Sequence, residues 1–210
     1  MGISARYSTR NAILEAYSIE MQGSSGFESA GGRTSTSTTH KLASKYEAAK
    51  IIAAVENQPQ LKHWLIWAYG PAVMASIRSV QEGAVNQIAA GISISPGNAR
   101  RPGAKTRAQL LVYLHMDNYR ALAITGSRKY RKPAHFDQAM RRLTSGIVGL
   151  DIQNRNYNRE FGYLGEQIEG RCSDLDRQGL GKVSQALANI RYERGEPAVY
   201  YTAAPYASAP

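Results

Sequence analysis

Cysteine is almost missing from this chain: Cys172 is the only one among 210 residues. A single thiol closes no internal disulfide and cannot supply a multi-cysteine zinc site. Long hydrophobic runs are missing as well. The densest apolar clusters, residues 64–67 and 110–114, fall far short of the roughly 20 residues that span a bilayer, so no membrane partner is expected. Residues 1–25 interleave Arg6, Arg10, Glu15 and Glu20 without a continuous apolar core and do not read as a signal peptide. The default expectation is a cytoplasmic protein. Strand signals are few and no internal repeat is visible. The nearest thing to a glycine-rich phosphate loop, Gly162-Tyr163-Leu164-Gly165, has neither the lysine nor the strand context.

Acidic and basic residues fall out of balance in one segment. Between residues 100 and 159, Asp117, Asp137 and Asp151 face thirteen Lys and Arg, which leaves +10, the formal charge of the whole chain. The other 150 residues are therefore balanced. A dispersed surplus would speak only to solubility. Concentrated in one segment, it is the electrostatic footprint of a polyanion partner, here expected to be double-stranded DNA.

The rest of the sequence reads as helices. Residues 1–22 place Ile13, Leu14, Tyr17 and Met21 on roughly one helical face, and a Gly/Ser/Thr-rich connector follows to residue 39. From residue 40, Leu42, Tyr46, Ala49, Ile52, Ala53 and Glu56 predict a helix that Asn57-Gln58-Pro59 stops. Leu61, Trp64, Leu65 and Ala68 form the next stripe, and Gly70-Pro71 breaks it. Val73, Ile77, Val80, Ala84 and Ile88 predict one amphipathic helix over 71–90. Residues 105–125 carry Val112, Met116, Tyr119 and Ala123 at core spacing and end at Gly126. Pro133 opens a helix to Leu143, and Asp151 is placed to cap another into the 160s. After Gly170, residues Leu175, Leu180, Val183, Leu187 and Ile190 predict a separate last helix, weakened by Gly179 and Gly181. The expected fold is all-α, a compact multi-helix domain with a helix-turn-helix-like DNA-binding element. The expected boundaries are 1–39 for an N-terminal segment and linker, 40–195 for the helical DNA-binding domain, and 196–210 for a disordered tail.

Within that domain, helix 133–143, a turn and a helix from Asp151 have the outline of a helix-turn-helix, whose second helix puts its N-terminal residues against base edges. Gln153, Asn154, Arg155, Asn156 and Arg159 sit there, and Gln and Asn pair bidentately with adenine, Arg with guanine. The turn, residues 144–150, is longer than the usual three or four residues, and a solvated polar face is the competing reading. Arg128, Lys129, Arg131 and Lys132 lie in a basic turn suited to phosphate contacts, with Arg141 and Arg142 flanking the backbone in the same docking. No catalytic constellation stands out. His40, His63, His115 and His135 are scattered at no metal-ligating spacing. Asp117, Asp137, Asp151 and Glu160, the acids a Mg²⁺-dependent nuclease would need, show no telling interval. A non-enzymatic protein without cofactor is expected, with a nuclease or recombination enzyme, or a plain DNA-binding repressor, as the alternatives.

Three short motifs carry a resemblance: His63-Trp64-Leu65-Ile66-Trp67-Ala68-Tyr69-Gly70-Pro71, then Asp117-Asn118-Tyr119-Arg120 ahead of Gly126, then Cys172-Ser173-Asp174-Leu175-Asp176-Arg177. They resemble the Q-type late-gene transcription antiterminators of phages and prophages, in their zinc-free branch. The resemblance implies a sequence-specific DNA-binding protein in the bacterial host cell or nucleoid. Such a protein loads onto paused RNA polymerase and promotes read-through of terminators. It also implies that the DNA-contacting helix corresponds to residues 151–159.

Overall fold

The structure, a computed structural model, describes residues 3–24, 45–92, 104–143 and 154–195. Its regular structure is all-α. In chain order the helices are α1 (Ile3–Ser24), α2 (Lys45–Glu56), α3 (Lys62–Tyr69), α4 (Ala72–Ala75), α5 (Arg78–Ala89), α6 (Ala104–Thr125), α7 (Pro133–Leu143) and α8 (Asn154–Glu193). No strand occurs among the described residues. None of these helices is long and apolar enough to cross a membrane. The helices fall into two compact units, Met1–Ile77 with Arg177–Pro210, and Arg78–Asp176.

In the first unit α1 packs on α2 and α3, burying Ala12, Ile13, Ala16 and Tyr17. α3 is buried nearly all round, from Trp64 to Tyr69, and the Trp64 and Trp67 rings stack at 5.8 Å. The stripe expected for α2 is one residue out of register. Ala48, Ile51 and Val55, at i, i+3 and i+7, face the core, whereas Tyr46, Ala49 and Ala53 are exposed. Tyr46 instead lays its ring under Lys50 Nζ, 4.4 Å from the centroid. Leu14, expected in the core, is likewise exposed. The end of α8 closes on α2 through Lys50 with Glu193 and Arg194 with Glu47. Tyr17 donates to Glu56 Oε1 at 3.0 Å, and burial first, then the Glu56 charge, raises its pKa.

In the second unit α6 packs against α5 and α7. Its core is Val80, Ala84 and Ile88 from α5, Leu111, Val112, Leu114 and Met116 from α6, Phe136 and Met140 from α7, and Leu164, Ile168, Cys172 and Leu175 from α8. The Cys172 thiol is raised chiefly by burial, which makes it a core residue rather than a nucleophile.

Two expectations are corrected. The helix expected over 71–90 is two, α4 and α5, and Val73 and Ile77 of the supposed stripe are exposed. The two helices expected on either side of Gly170 are one, α8. Its buried positions, 164, 168, 172, 175, 179, 183, 187 and 190, recur in steps of three and four without a break. Two of its glycines lie where a neighbour comes too close for any side chain. A Cβ at Gly165 would stand 2.7 Å from His115 Cε1, and one at Gly179 would stand 2.9 Å from Leu65 Cδ2. Packing gained by that approach offsets the helix penalty of glycine, about 1 kcal/mol each.

Candidate nucleic-acid interface

The basic turn is built from the end of α6 to the start of α7. Gly126 adopts φ 71°, the left-handed conformation that ends a helix, and its N–H donates to Leu122 O at 3.0 Å. Ser127 N–H then donates to Thr125 Oγ1 at 3.3 Å. One helical turn back, Asn118 is only 2 % exposed. Its Oδ1 accepts the Tyr130 N–H at 2.8 Å, and its Nδ2 donates to Tyr130 O at 3.2 Å. Both backbone groups of Tyr130 are thus held by one side chain. The Tyr130 ring packs on Phe136 at 5.2 Å, and Phe136 stacks on His115 at 4.6 Å.

The four cations of the turn are all exposed but differ in their surroundings. Arg128 makes a fork on Glu169, at 2.6 and 2.9 Å. Lys129 donates to Asp117 Oδ2 at 2.7 Å, and the Tyr130 hydroxyl donates to the same oxygen at 3.0 Å. That hydrogen bond to Asp117 raises the Lys129 pKa, against some burial. Burial and the Asp117 charge raise that of Tyr130. Arg131 uses its backbone N–H, donated to His135 Nδ1 at 3.3 Å, while its side chain and that of Lys132 stand in solvent.

α7 continues the same surface. Phe136 and Met140 turn inward, and His135, Gln138, Arg141 and Arg142 outward, with His135, Gln138 and Arg142 at i, i+3 and i+7. Arg141 and Arg142 occupy the last turn, where a cation also complements the helix dipole. Lys132 and Arg142 are ten residues apart, so about 15 Å along the axis at the helical rise.

Of the residues expected to read bases, Asn154, Arg155, Asn156 and Arg159 belong to the first turns of α8. Their side chains lie outside the described residues, as do Gln153 and the turn 144–150. Of the acids weighed for metal binding, Asp117 is engaged by Lys129 and Tyr130. The side chains of Asp137, Asp151 and Glu160 fall outside the description. Among the described residues no three His, Cys, Asp or Glu come together as a metal site. His115 is buried in the second unit, and burial pushes its pKa down to about 4, with Glu169 opposing and Arg128 assisting.

Asn118 and Glu169 are the side chains holding this turn that reading for charge missed. The signal for Asn118 was present: a short amide two residues from Met116, inside a helix whose apolar spacing marks it for the core, must find partners when buried. Glu169 lies 41 residues from Arg128, and no local pattern pairs them.

No family model, curated protein or solved structure matches the chain.

Proposed function

We propose that this protein binds double-stranded DNA through the 126–132 turn and the outer face of α7, and that it acts as a transcription antiterminator. The observation that carries DNA binding is the grouping of Arg131, Lys132, Arg141 and Arg142 on one exposed helix and its lead-in, inside the segment that holds the entire charge surplus. A separation of about 15 Å between the cations at the two ends of α7 is comparable with the major groove of B-DNA, about 12 Å wide, so this helix can bridge phosphates on either side of it. Phosphate contacts of this kind set register and supply salt-dependent affinity but carry no sequence information. Sequence reading belongs in this proposal to the first turns of α8, where Arg155 and Arg159 are four residues apart. Polymerase loading and terminator read-through rest on the motif resemblance to Q-type antiterminators.

Two experiments test the proposal in sequence. Arg155→Ala is expected to lower affinity for a selected cognate site by about 1–3 kcal/mol with little change on random DNA. Equal losses on both would remove α8 as the base-reading helix. Run-off transcription past a terminator, with purified polymerase on the native upstream DNA, is expected to show read-through only when the protein is present. Unchanged termination together with tight cognate binding would leave a repressor-type binder.

A further inference from the structure

We infer that Asn118 is the positioning residue of the DNA-binding turn, and that the turn divides its cations into two that brace it, Arg128 and Lys129, and two that it presents to phosphate, Arg131 and Lys132. The inference deepens the DNA-binding reading of this same surface and rests on it.

The argument begins with what a loop loses on binding. A basic segment that is free in solution must be ordered when it meets a phosphate backbone, and each immobilised residue subtracts from affinity. Here the ordering is already done. The Asn118 amide fixes both the N–H and the C=O of Tyr130, the residue immediately before the presented pair. The Tyr130 ring is held against Phe136 and its hydroxyl on Asp117, so the backbone there can neither twist nor slide. The Arg131 N–H is taken by His135 and the Lys132 carbonyl by the His135 N–H at 2.9 Å. With their main chain secured at both ends, Arg131 and Lys132 have only side-chain freedom left to lose.

Arg128 and Lys129 are different in kind. Each stands against a carboxylate, Glu169 and Asp117, so each brings a cation and an anion together and adds little net field at a phosphate. Their partners belong to α8 and α6, and the two ion pairs tie the turn to those helices. A sequence count of four equal phosphate ligands therefore becomes two ligands and two struts.

The test combines hydrogen exchange with a binding cycle on the full-length protein and a random-sequence DNA duplex. Wild-type affinity is expected to fall linearly with the logarithm of salt concentration. Arg131→Ala with Lys132→Ala should flatten that slope by about 2, close to 0.9 per phosphate lost, and leave Tyr130 amide exchange unchanged. Arg128→Ala with Lys129→Ala should flatten it by less than half as much while speeding exchange at Tyr130. Asn118→Ala should abolish protection of the Tyr130 amide and weaken binding by roughly fivefold, the scale of one or two newly mobile side chains. In the Arg131→Ala, Lys132→Ala background the same change should have no further effect on affinity. A purely structural role would weaken binding equally in both backgrounds, and that result overturns the inference. Equal flattening by the two double variants overturns the division of the cations. If Asn118→Ala does not fold, the wild-type protein decides: a Tyr130 amide that exchanges as fast as free peptide within the folded protein refutes the clamp. Absence of any salt-dependent binding by the wild type refutes the DNA reading itself, and it is recognised separately because Tyr130 protection would persist.

Discussion

Gly179 and Gly181 are two residues apart in one helix, yet they do opposite things. Gly179 is buried where a Cβ would lie 2.9 Å from Leu65, itself completely buried, whereas nothing stands within 4 Å of a Cβ at Gly181. The same contrast repeats in the second unit, where Gly165 lies under His115 and Gly170 faces open space. Glycine in a helix is thus two residues under one letter. One kind permits a neighbour to approach, and its penalty is offset by packing. The other only spends backbone entropy. Helix α8 carries five glycines, and two of them, Gly165 and Gly179, are of the first kind.

Breaking the buried kind should have the largest effect. Gly179→Val adds three carbons where one already stands 2.9 Å from Leu65 Cδ2, and Leu65 is itself fully buried. A loss of about 3 kcal/mol in urea unfolding is expected, as for other overpacked cores. Shortening the neighbour should restore part of it: Leu65→Ala combined with Gly179→Val is expected to be less damaging than the sum of the two. Full additivity would show that Gly179 is not placed by Leu65.

His115 sharpens the comparison through pH. Its folded pKa of about 4 lies below the ordinary 6.5 because the ring is buried over Gly165 and stacked on Phe136. Between these two values the unfolded chain takes up a proton that the folded protein refuses. Stability from this residue is therefore complete above about pH 6.5 and is lost progressively as pH falls toward 4, by between about 2 and 3 kcal/mol. His115→Gln should lose that component of the acid dependence. A wild-type and variant with superimposable stability–pH curves would show that the ring titrates normally.

Gly165→Ala joins the two arguments. The methyl group must move the imidazole, and Phe136 behind it restricts the shift. A net loss of about 1–2 kcal/mol is expected after the helix-propensity gain is counted. Displacement of the ring toward water should also raise its folded pKa toward 6.5, so the acid loss still begins near pH 6.5 but ends at a higher pH and is smaller than in the wild type. Histidine Cε1 shifts followed by NMR titration read that pKa directly.

These glycines also show what the sequence could and could not carry. Helices α6 and α7 were legible because local signals agree: Val112 and Met116 at core spacing, Gly126 at the end, Pro133 at the next start. The unity of α8 was not, since whether Gly179 is a break or a seat depends on Leu65, more than a hundred residues away. The α2 register failed for a related reason. Tyr46 and Ile52 are more hydrophobic by composition than Ala48, but the close face against α1 buries Ala48, and Tyr46 finds a cation instead. At the candidate interface, charge was visible and its division was not. Asp117 and Glu169 remove two of the turn's cations from the field, and both are partners that only the fold supplies.

The smallest effect tests the open kind of glycine. At Gly170 and Gly181 a methyl group meets nothing, both residues are exposed, and neither is marked by a positive φ. Replacing each by alanine removes freedom from the unfolded chain and leaves the folded contacts as they are. A gain of about 0.5–1 kcal/mol for each is expected, additive because the two are eleven residues apart and share no neighbour. Urea unfolding of the single and double variants measures it, with the slope of the transition unchanged. A loss at either site would mean that a surface now open is covered in the folded protein, and that the glycine there belongs with Gly165 and Gly179.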